Sequence, residues 1–468
     1  MKLARFLTVS LSALALSACA VGPDYVAPIA PQTSSGPFLS QSAAVSTAPV
    51  AADWWKLYND PVLDGLIQDA LTANTDVRVA VAHLEKARAA LSGARADRLP
   101  QSQIGAGATY GRVPITQRTP GAPQDDWSVD AGISVSYEVD LFGRVKRSVE
   151  AARGNWQAAE ADADAVRIAV IADTTRAYAD AASSGAQLKI AHHIVDLLDQ
   201  LVDLTKRRHD AGLATQLDVA RVVTLRDQRA ADIPSLEAQR QTALFRLATL
   251  TGRAPADLPE IATQRSVGLE VTQPIPVGDG AALLARRPDI RAAERRLASD
   301  TAQIGVATAD LYPRISLGGS FGSTGPNIAD AFGGGPLRWL VGPLISWNFP
   351  NQAATRAKIN EAKADSKAAL ATFDGTVLNA LQETETALTA YARALDRRQA
   401  LQSARDGAEQ AATIARAQQR EGAIDSLQLL DTERTFADAQ AALALQDAQV
   451  SAAQIDVFRA LGGGWAKS

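Results

Sequence analysis

Residue types that could carry catalytic or metal-binding chemistry are few in this chain and lie far apart. The 468 residues include one cysteine, Cys19, and four histidines, which are His83, His192, His193 and His209. A single cysteine excludes a disulfide framework and any cysteine-rich metal site. None of the histidines stands at a zinc-like spacing from another pair of ligands. Because no nucleophile–base arrangement or phosphate-binding glycine loop is evident either, the sequence predicts no catalysis, no metal and no cofactor.

The segment that precedes Cys19 indicates that this cysteine is a site of lipid modification. Two basic residues lead into an apolar stretch at 6–18 that is too short to span a bilayer. Residues 16–19 read Leu-Ser-Ala-Cys and resemble a bacterial lipobox. We therefore predict a signal peptide at 1–18, cleaved before Cys19, which is then acylated on its sulfur and its new amino group. An ordinary secretory signal with an incidental cysteine is less favoured, since the only cysteine occupies the cleavage position.

The residue after Cys19 predicts the destination of the protein. Several acyl chains give durable membrane anchoring where a single chain is marginal. In the well-studied sorting rule for bacterial lipoproteins, Asp after the acylated cysteine retains the protein in the inner membrane. Ala20 stands at that position, which indicates delivery to the outer membrane.

Charge and composition narrow the class of protein further. The formal net charge is −4, from 47 Lys+Arg and 51 Asp+Glu spread along the chain, so the basic patch of a nucleic-acid-binding protein is not indicated. Hydrophobic residues make up 47% of the chain but aromatic residues only 5%, which favours closely packed helices rich in small residues. After the N-terminus no apolar run approaches the roughly 20 residues of a membrane-spanning helix.

The chain repeats itself once. Five segments recur in the same order at a nearly constant offset, pairing 96–100 with 309–313, 74–78 with 287–291, 136–137 with 346–347, 211–213 with 421–423 and 250–252 with 461–463. We predict a lipidated extended tether at 19–52, a first structural repeat at 53–260, a linker at 261–280 and a second repeat at 281–468. Each repeat is expected to run helix, strand, strand, long helix, turn, helix.

Two long helices without internal proline are predicted at about 146–211 and 353–421. At 1.5 Å per residue each would be on the order of 100 Å long. Apolar residues recur in heptads along both helices and along the helices that return from them, which predicts helical hairpins at about 146–251 and 353–461. This pattern alone does not exclude a soluble coiled-coil hairpin.

Glycine and proline mark where these helices should end. Gly212 and Gly422 fall at the ends of the long helices, where glycine commonly allows a tight reversal of the chain. Pro234 lies inside the first return helix, where it predicts a kink or a break.

Four segments alternate apolar and polar residues, at about 103–113, 127–138, 314–323 and 337–349. About ten residues of such alternation are typical of a strand in an outer-membrane barrel. A soluble sheet with one buried face would show the same pattern, and the exported, lipidated context favours the membrane. Leu340 and Leu344, which lie in the polar register, make the last segment the least regular.

Four strands are too few to close a barrel, because about eight are needed before side chains can fill the interior. An open sheet edge in lipid would leave backbone polar groups without partners. If the strands span the membrane, the chain must therefore oligomerise. A dimer would supply eight strands, a trimer twelve and a tetramer sixteen, and the residues alone do not choose among them.

Short motifs are spread over nearly all of the mature chain. They are 19–25 (CAVGPDY), 53–55 (DWW), 60–63 (DPVL), 70–74 (ALTAN), 137–143 (YEVDLFG) and 286–291 (RRPDIR). This combination resembles the outer-membrane efflux factor family, the TolC-like exit ducts, and in particular its NodT-type lipoprotein branch that serves RND efflux systems.

The resemblance implies a fold class, a location and partners. The expected fold is mainly α with a membrane β-barrel portion, in two tandem repeats of helix-strand-strand-long helix-helix. A homotrimer would form a twelve-stranded β-barrel in the outer membrane and a twelve-helix α-barrel in the periplasm. The implied function is that of the exit duct of a tripartite efflux system, surrounded by outer-membrane lipid. The implied partners are a periplasmic adaptor and an inner-membrane pump of the RND type. No nucleic acid is expected as a partner.

The resemblance also points to the residues that narrow the duct. In this family the second-repeat motif near the helix turn carries acidic residues at the periplasmic aperture. Asp431 matches one of them, Leu427 one turn earlier matches an apolar plug position, and Gln428 stands where some members have a second Asp. Three copies of Asp431 around an axis would favour cations, as charged rings do in other pores. Without the family, Asp431 would be read as a solvated residue on a helix face.

The turns themselves are candidates for adaptor docking. The residues concerned lie in 212–218 and 422–428 and are Gly212, Leu213, Thr215, Gly422, Ala423 and Asp425. Two other classes of protein remain as alternatives. One is a structural coiled-coil envelope lipoprotein without a pore, and the other is a periplasmic adaptor. Two near-equal repeats disfavour the adaptor, and four alternating segments at corresponding places disfavour the scaffold.

Overall fold

The computed structural model describes residues 20–29, 34–40, 42–112, 114–116, 118, 120–121, 123–329 and 337–463. The predicted signal peptide at 1–18 and Cys19 lie outside the described residues. The chain divides into two compact units. Of the described residues, those within 1–29, 83–160 and 292–374 form the strand unit, and those within 30–82, 161–291 and 375–468 form the helical unit.

The elements follow one another in the order predicted for two repeats. The strands are β1 (Val45–Ser46), β2 (Gln101–Arg112), β3 (Asp125–Val139), β4 (Ile275–Pro276), β5 (Arg314–Gly325) and β6 (Leu337–Ser346). The helices are α1 (Pro61–Ala73), α2 (Thr75–Ala96), α3 (Arg144–Asp210), α4 (Gln216–Ala230), α5 (Asp232–Leu250), α6 (Glu260–Gln264), α7 (Gly280–Arg286), α8 (Pro288–Ala309), α9 (Ala353–Arg420) and α10 (Ser426–Ala460).

In the strand unit, β2, β3, β5 and β6 form one sheet in that order, with every neighbouring pair antiparallel. Ile133 of β3 lies opposite Ile104 of β2 on one side and Phe321 of β5 on the other. The apolar residues of successive strands therefore share one face, as the alternation predicts. In the single chain these side chains are exposed, with Ile104 at 82% and Phe321 at 56%.

The long helices α3 and α9 run for 67 and 68 residues. The heptad residues of α9 lie at the core of the helical unit, where Leu388 is buried and Leu381 and Leu395 pack beside it. Along α10, the heptad positions Leu429 and Phe436 are likewise buried. Among the described helices, none is long and apolar enough to cross a membrane.

A matched pair of contacts shows that the two repeats are built alike. The side-chain amide of Asn74, just before α2, donates to the carbonyl of Leu250 at the end of α5, at 2.9 Å. The guanidinium of Arg287, just before α8, donates to the carbonyl of Ala460 at the end of α10, also at 2.9 Å. In each repeat the residue before the second helix thus donates to a carbonyl at the end of the last helix, one of the groups that a helix end leaves without an intrahelical partner.

The described part of the predicted tether at 19–52 is bound to the body of the protein. In the strand unit, the amide of Val21 donates to the carbonyl of Phe142 at 3.1 Å, and Arg147 donates to Asp24 at 2.7 Å. This ion pair lowers the pKa of Asp24 below its usual value, chiefly through the hydrogen bond from Arg147. Proline and serine content signals an extended backbone but does not reveal such partners, because each is distant in sequence.

In the helical unit, the tether and the linker at 261–280 pair with each other. Val45 and Ser46 of β1 run parallel to Ile275 and Pro276 of β4. Leu269 and Ile275 of the linker are fully buried in the core. A strand of two residues is too short for its alternation to be recognised in a sequence.

A buried ion pair anchors the start of α1. Asp60 is the N-cap of α1, and its carboxylate accepts a hydrogen bond from the amide of Val62 at 2.9 Å. The same carboxylate accepts from the hydroxyl of Tyr178 at 3.1 Å and from Arg265 at 2.7 Å. Burial, followed by the neighbouring Asp60 carboxylate, raises the pKa of Tyr178 to about 12. This network ties the start of α1 to α3 and to the linker.

Pro234 produces the break that the sequence predicts. Helix α4 ends at Ala230 and α5 begins at Asp232. Pro234 therefore lies in the first turn of α5, where its missing amide hydrogen costs no helical hydrogen bond.

The Asp60 network gives a test of how much the buried pair stabilises the helical unit. Replacing Arg265 by Ala leaves Asp60, which is 5% exposed, without its cation. We expect a loss of about 1–3 kcal/mol in the free energy of unfolding, below the usual cost of a fully buried pair because Arg265 is partly exposed. The measurement is the midpoint of denaturant unfolding, followed by circular dichroism.

Arg253→Ala is the matched control for Arg265→Ala. Arg253 has the same exposure as Arg265, 30%, but its partner Asp69 is 43% exposed. An exposed pair of this kind contributes about 0–1 kcal/mol. Equal shifts of the unfolding midpoint in the two variants would show that burial of the aspartate is not the deciding factor.

Candidate functional site: the helix turns and the aperture residues

The turn after α3 closes the long helix with two backbone hydrogen bonds. The amide of Gly212 donates to the carbonyl of His209 at 2.8 Å, and the amide of Leu213 donates to that of Arg208 at 2.7 Å. This pairing is the Schellman motif, which needs a residue in the left-handed conformation at the glycine position. Gly212 has φ +73°, and Leu213 next to it is 69% exposed.

The helix that returns from this turn begins with a reciprocal pair. The hydroxyl of Thr215 accepts from the amide of Asp218 at 3.2 Å, and the Asp218 carboxylate accepts from the amide of Thr215 at 2.8 Å. Such a capping box satisfies two amides that the helix start leaves unpaired. The Thr215 hydroxyl also donates to the Asp218 carboxylate at 2.7 Å, and this bond, followed by that from the Thr215 amide, lowers the pKa of Asp218 below its usual value.

The turn after α9 repeats this geometry in the second repeat. The amide of Gly422 donates to Gln419 at 3.1 Å and that of Ala423 donates to Gln418 at 2.9 Å, with Gly422 at φ +72°. Asp425 occupies the place of Thr215 and caps α10 through its carboxylate, which accepts from the amide of Gln428 at 2.8 Å. The turn residues proposed from the sequence therefore form two equivalent, rigidly hydrogen-bonded reversals.

The two aperture candidates lie on one face of α10. Leu427 and Asp431 are one helical turn apart, and both are exposed, Leu427 at 49%. The next acidic residues along α10 are neutralised, since Glu433 pairs with Arg416 and Asp438 pairs with Arg229. In the part of the chain that the structure describes, no such cation pairs with Asp431.

The sequence analysis missed an ion pair that binds α9 to α10 just above the second turn. Arg416 contacts Glu433 through two hydrogen bonds of 2.5 and 2.7 Å, and its guanidinium lies 5.9 Å from the ring centre of Phe436. Glu433 is only 12% exposed, so the pair is partly shielded from water. The heptad pattern predicts that Phe436 is buried, but no local sequence pattern predicts the ion pair between Arg416 and Glu433.

A groove of about 370 Å³ that opens to solvent lies among α3, α9 and α10 near the second turn. Its walls include Leu198, Leu201, Leu429, Phe436 and Arg416. Leu198, Leu429 and Phe436 are buried, so the groove lies over packed apolar side chains.

Comparison with known proteins identifies the family. The family model described as outer membrane efflux protein matches residues 66–253 and 280–463, which are one segment from each repeat. The chain belongs to this family. Outer membrane protein OprJ of Pseudomonas aeruginosa is 32% identical over 459 residues, covering 97% of this chain and 95% of that protein. Nodulation protein T of Rhizobium leguminosarum bv. viciae is 31% identical over 461 residues, covering 97% and 92%.

A solved structure shows the same fold. The outer-membrane channel OprN superposes with a TM-score of 0.88 at 36% identity, covering 96% of this chain and 100% of that chain. The predicted fold class is therefore confirmed, as are the function of an outer-membrane efflux channel and the location in the outer membrane and periplasm. Membership of a channel family also confirms the prediction that the chain is not an enzyme, and it sets aside the scaffold and adaptor alternatives. Outer membrane efflux channels work with periplasmic adaptors and inner-membrane pumps.

The glycine of the second turn provides a test of the turn geometry. In Gly422→Ala the new side chain must adopt a left-handed conformation, which costs about 1–2 kcal/mol. We expect the amides of Gly422 and Ala423 to exchange with deuterium roughly tenfold faster, because about 1.4 kcal/mol corresponds to that factor. The measurement is hydrogen–deuterium exchange of the peptide that covers the turn.

Gly407→Ala is the control for this exchange experiment. Gly407 lies inside α9 with open space around it, so alanine should protect the helix by about 0.5–1 kcal/mol. Slower exchange at the turn of Gly422→Ala would contradict the assigned geometry.

Proposed function

We propose that three copies of this chain form the outer-membrane exit duct of a tripartite efflux system. The duct conducts substrates passively from an inner-membrane pump and a periplasmic adaptor across the periplasm and the outer membrane. The observation that carries this proposal is the four-stranded sheet, which has an exposed apolar face and two open edges. Three such sheets supply twelve strands, which is enough for a barrel with an open interior, and all of the edges can then be paired.

In this proposal Leu427 and Asp431 form the periplasmic aperture. Both are exposed on one face of α10, and among the described residues Asp431 forms no ion pair, whereas Glu433 and Asp438 each pair with an arginine. A three-fold axis would bring three Asp431 carboxylates together. Such a ring attracts cations and repels anions, while Leu427 narrows the opening with an apolar side chain.

The two turns serve as docking sites for the periplasmic adaptor. The proposed contact residues are Gly212, Leu213, Thr215, Gly422, Ala423 and Asp425. Their support is geometric, because hydrogen-bonded turns with exposed apolar residues such as Leu213 present a fixed surface to a partner. Rigid surfaces bind with a smaller loss of conformational entropy than mobile loops do. The pump behind the adaptor is proposed to be of the RND type.

The N-terminus supplies the lipid anchor. Cys19 is proposed to be acylated after removal of residues 1–18, which places lipid chains in the outer membrane beside the barrel. The tether at 19–52, the repeats at 53–260 and 281–468 and the linker at 261–280 complete the proposed organisation. Acyl chains and barrel together would hold the protein more firmly than a single chain could.

Single-channel recording tests the duct and its aperture together. The purified protein in planar bilayers should show discrete, cation-preferring openings. In Asp431→Asn the preference for cations should fall several-fold, because the ring loses its charge but keeps its size. The measurement is the reversal potential in a salt gradient.

Asp438→Asn is the control for the recording. Asp438 lies two turns further along the same helix, and its charge is balanced by Arg229. An equal change of ion selectivity in both variants would show that Asp431 does not line the aperture. A trimer that never conducts, even as Asp431→Asn, would argue against a duct.

Lipidation is tested separately at Cys19. The mature protein should carry three acyl chains on its N-terminal cysteine, visible as a lipopeptide by mass spectrometry. Cys19→Ser should show no incorporated fatty acid and no lipopeptide. A mature wild-type protein that begins with an unmodified residue would contradict the proposal, whatever the state of the channel.

A further inference from the structure

The two edges of the sheet differ in a way that makes them complementary. On β2, the positions of Gly107 and Gly111 have open space where a side chain would stand. On β6, Leu340 and Leu344 are 60% and 53% exposed and lie on the same face as Gly342. One edge is thus short of side chains on its polar face, and the other carries an excess.

The repeat shows how strands are joined within the chain. Gln101 pairs with Ser136 between β2 and β3, and Arg314 pairs with Ser346 between β5 and β6. These two joints are equivalent, because Arg314 is the repeat counterpart of Gln101 and Ser346 is that of Ser136. The remaining joint in the chain, between β3 and β5, links the first repeat to the second. Its equivalent must link β6 to the β2 strand of another copy.

The register of this missing joint follows from the one that is present. Between β3 and β5, Gly132 lies opposite Gly322. The repeat counterpart of Gly132 on β6 is Gly342, and the counterpart of Gly322 on β2 is Thr109. We infer that β6 of one copy pairs antiparallel with β2 of the next copy, with Gly342 opposite Thr109. This inference rests on the proposed trimer and adds the register at which its copies join.

Side-chain sizes at the joint support this register independently. On the polar face it sets three residues of β6 against a neighbour of contrasting size, in the pairs Leu340–Gly111, Gly342–Thr109 and Leu344–Gly107. Large side chains that lie across from glycines fill the space that those glycines leave on the opposite strand. Shifting the register by two residues would set Gly342 against Gly107 or Gly111 and lose this match.

The apolar face agrees with the same register. This register sets Val341 opposite Tyr110 and Ile345 opposite Ala106, so apolar residues meet at these two pairs, while Trp339 falls opposite Arg112 at the strand end. A shift by one residue would turn the apolar side chains of one strand toward the polar face of the other. In the inferred register, Leu340 and Leu344, which interrupt the alternation of β6, would pack over glycines of the neighbouring copy. Leu344 already reaches over Gly318 within its own chain, and Gly107 of the next copy would lie on its other side.

Disulfide cross-linking in native membranes tests the register. Adjacent antiparallel pairs alternate between Cα separations of about 5.5 and 4.5 Å, so two neighbouring pairs are needed. The variants are Gly342→Cys with Thr109→Cys and Val341→Cys with Tyr110→Cys. After mild oxidation, at least one of them should run as a covalent trimer on a non-reducing gel. Variants with only one of the introduced cysteines should run as monomers on the same gel. Because these variants also contain Cys19, they show whether Cys19 itself forms cross-links.

Two displaced pairs are the matched controls, Gly342→Cys with Gly107→Cys and Gly342→Cys with Gly111→Cys. They keep the same face, but diagonal neighbours lie about 7–8 Å apart, beyond the roughly 3.5–4.5 Å between the Cβ atoms of a disulfide. We expect at least tenfold less covalent trimer. More cross-linking in a control than in the matched pairs overturns the register and leaves the trimer standing.

Native mass spectrometry of the same preparations separates the two proposals. Trimers that fail to cross-link at any of the four pairs overturn the inferred joint alone. Monomers without trimers would refute the proposed assembly, and the inference with it.

Discussion

The need to pair every backbone amide and carbonyl inside a membrane governs this protein. Hydrocarbon offers no water to a free sheet edge, so a spanning sheet must close on itself. Among the described residues, one chain contributes β2, β3, β5 and β6 to the sheet and leaves an edge at each end. In the proposed trimer these edges are paired between copies, so the membrane part of the protein is complete only in the assembly.

Because of the internal duplication, one type of strand pairing serves at two places in each chain. The strands of the two repeats are joined in the same register, and the end of the final helix in each repeat accepts a hydrogen bond from the residue before the second helix, Asn74 in one and Arg287 in the other. The repeats differ at the proposed aperture. Asp431 on α10 is the repeat counterpart of Arg221 on α4, while Leu427 is that of Leu217. The two halves thus share the apolar residue at this place and carry opposite charges at the position of Asp431.

Periodicity and turn chemistry predicted most of the local structure, because they depend on residues that are close in sequence. The heptads of α9, the alternation of β3 and the turn at Gly422 all belong to this class. Contacts between distant residues could not be predicted in the same way. Arg265 meets Asp60 across 205 residues. Arg416 and Glu433 are only 17 apart, but recognising them requires the exact registration of two helices across a turn. Long-range pairs depend on tertiary geometry that no local pattern specifies.

Irregularities in a pattern can be as informative as the pattern. Leu340 and Leu344 weaken the alternation of β6 when the strand is considered alone, and large apolar side chains on the polar side of a barrel strand are costly to expose. The glycines of β2 are equally unfavourable alone, since they pack nothing and lose entropy on ordering. Brought edge to edge, each defect compensates the other. The side-chain sizes on β2 and β6, at opposite ends of one sheet, therefore indicate that each of these strands pairs with a strand of another copy of the chain.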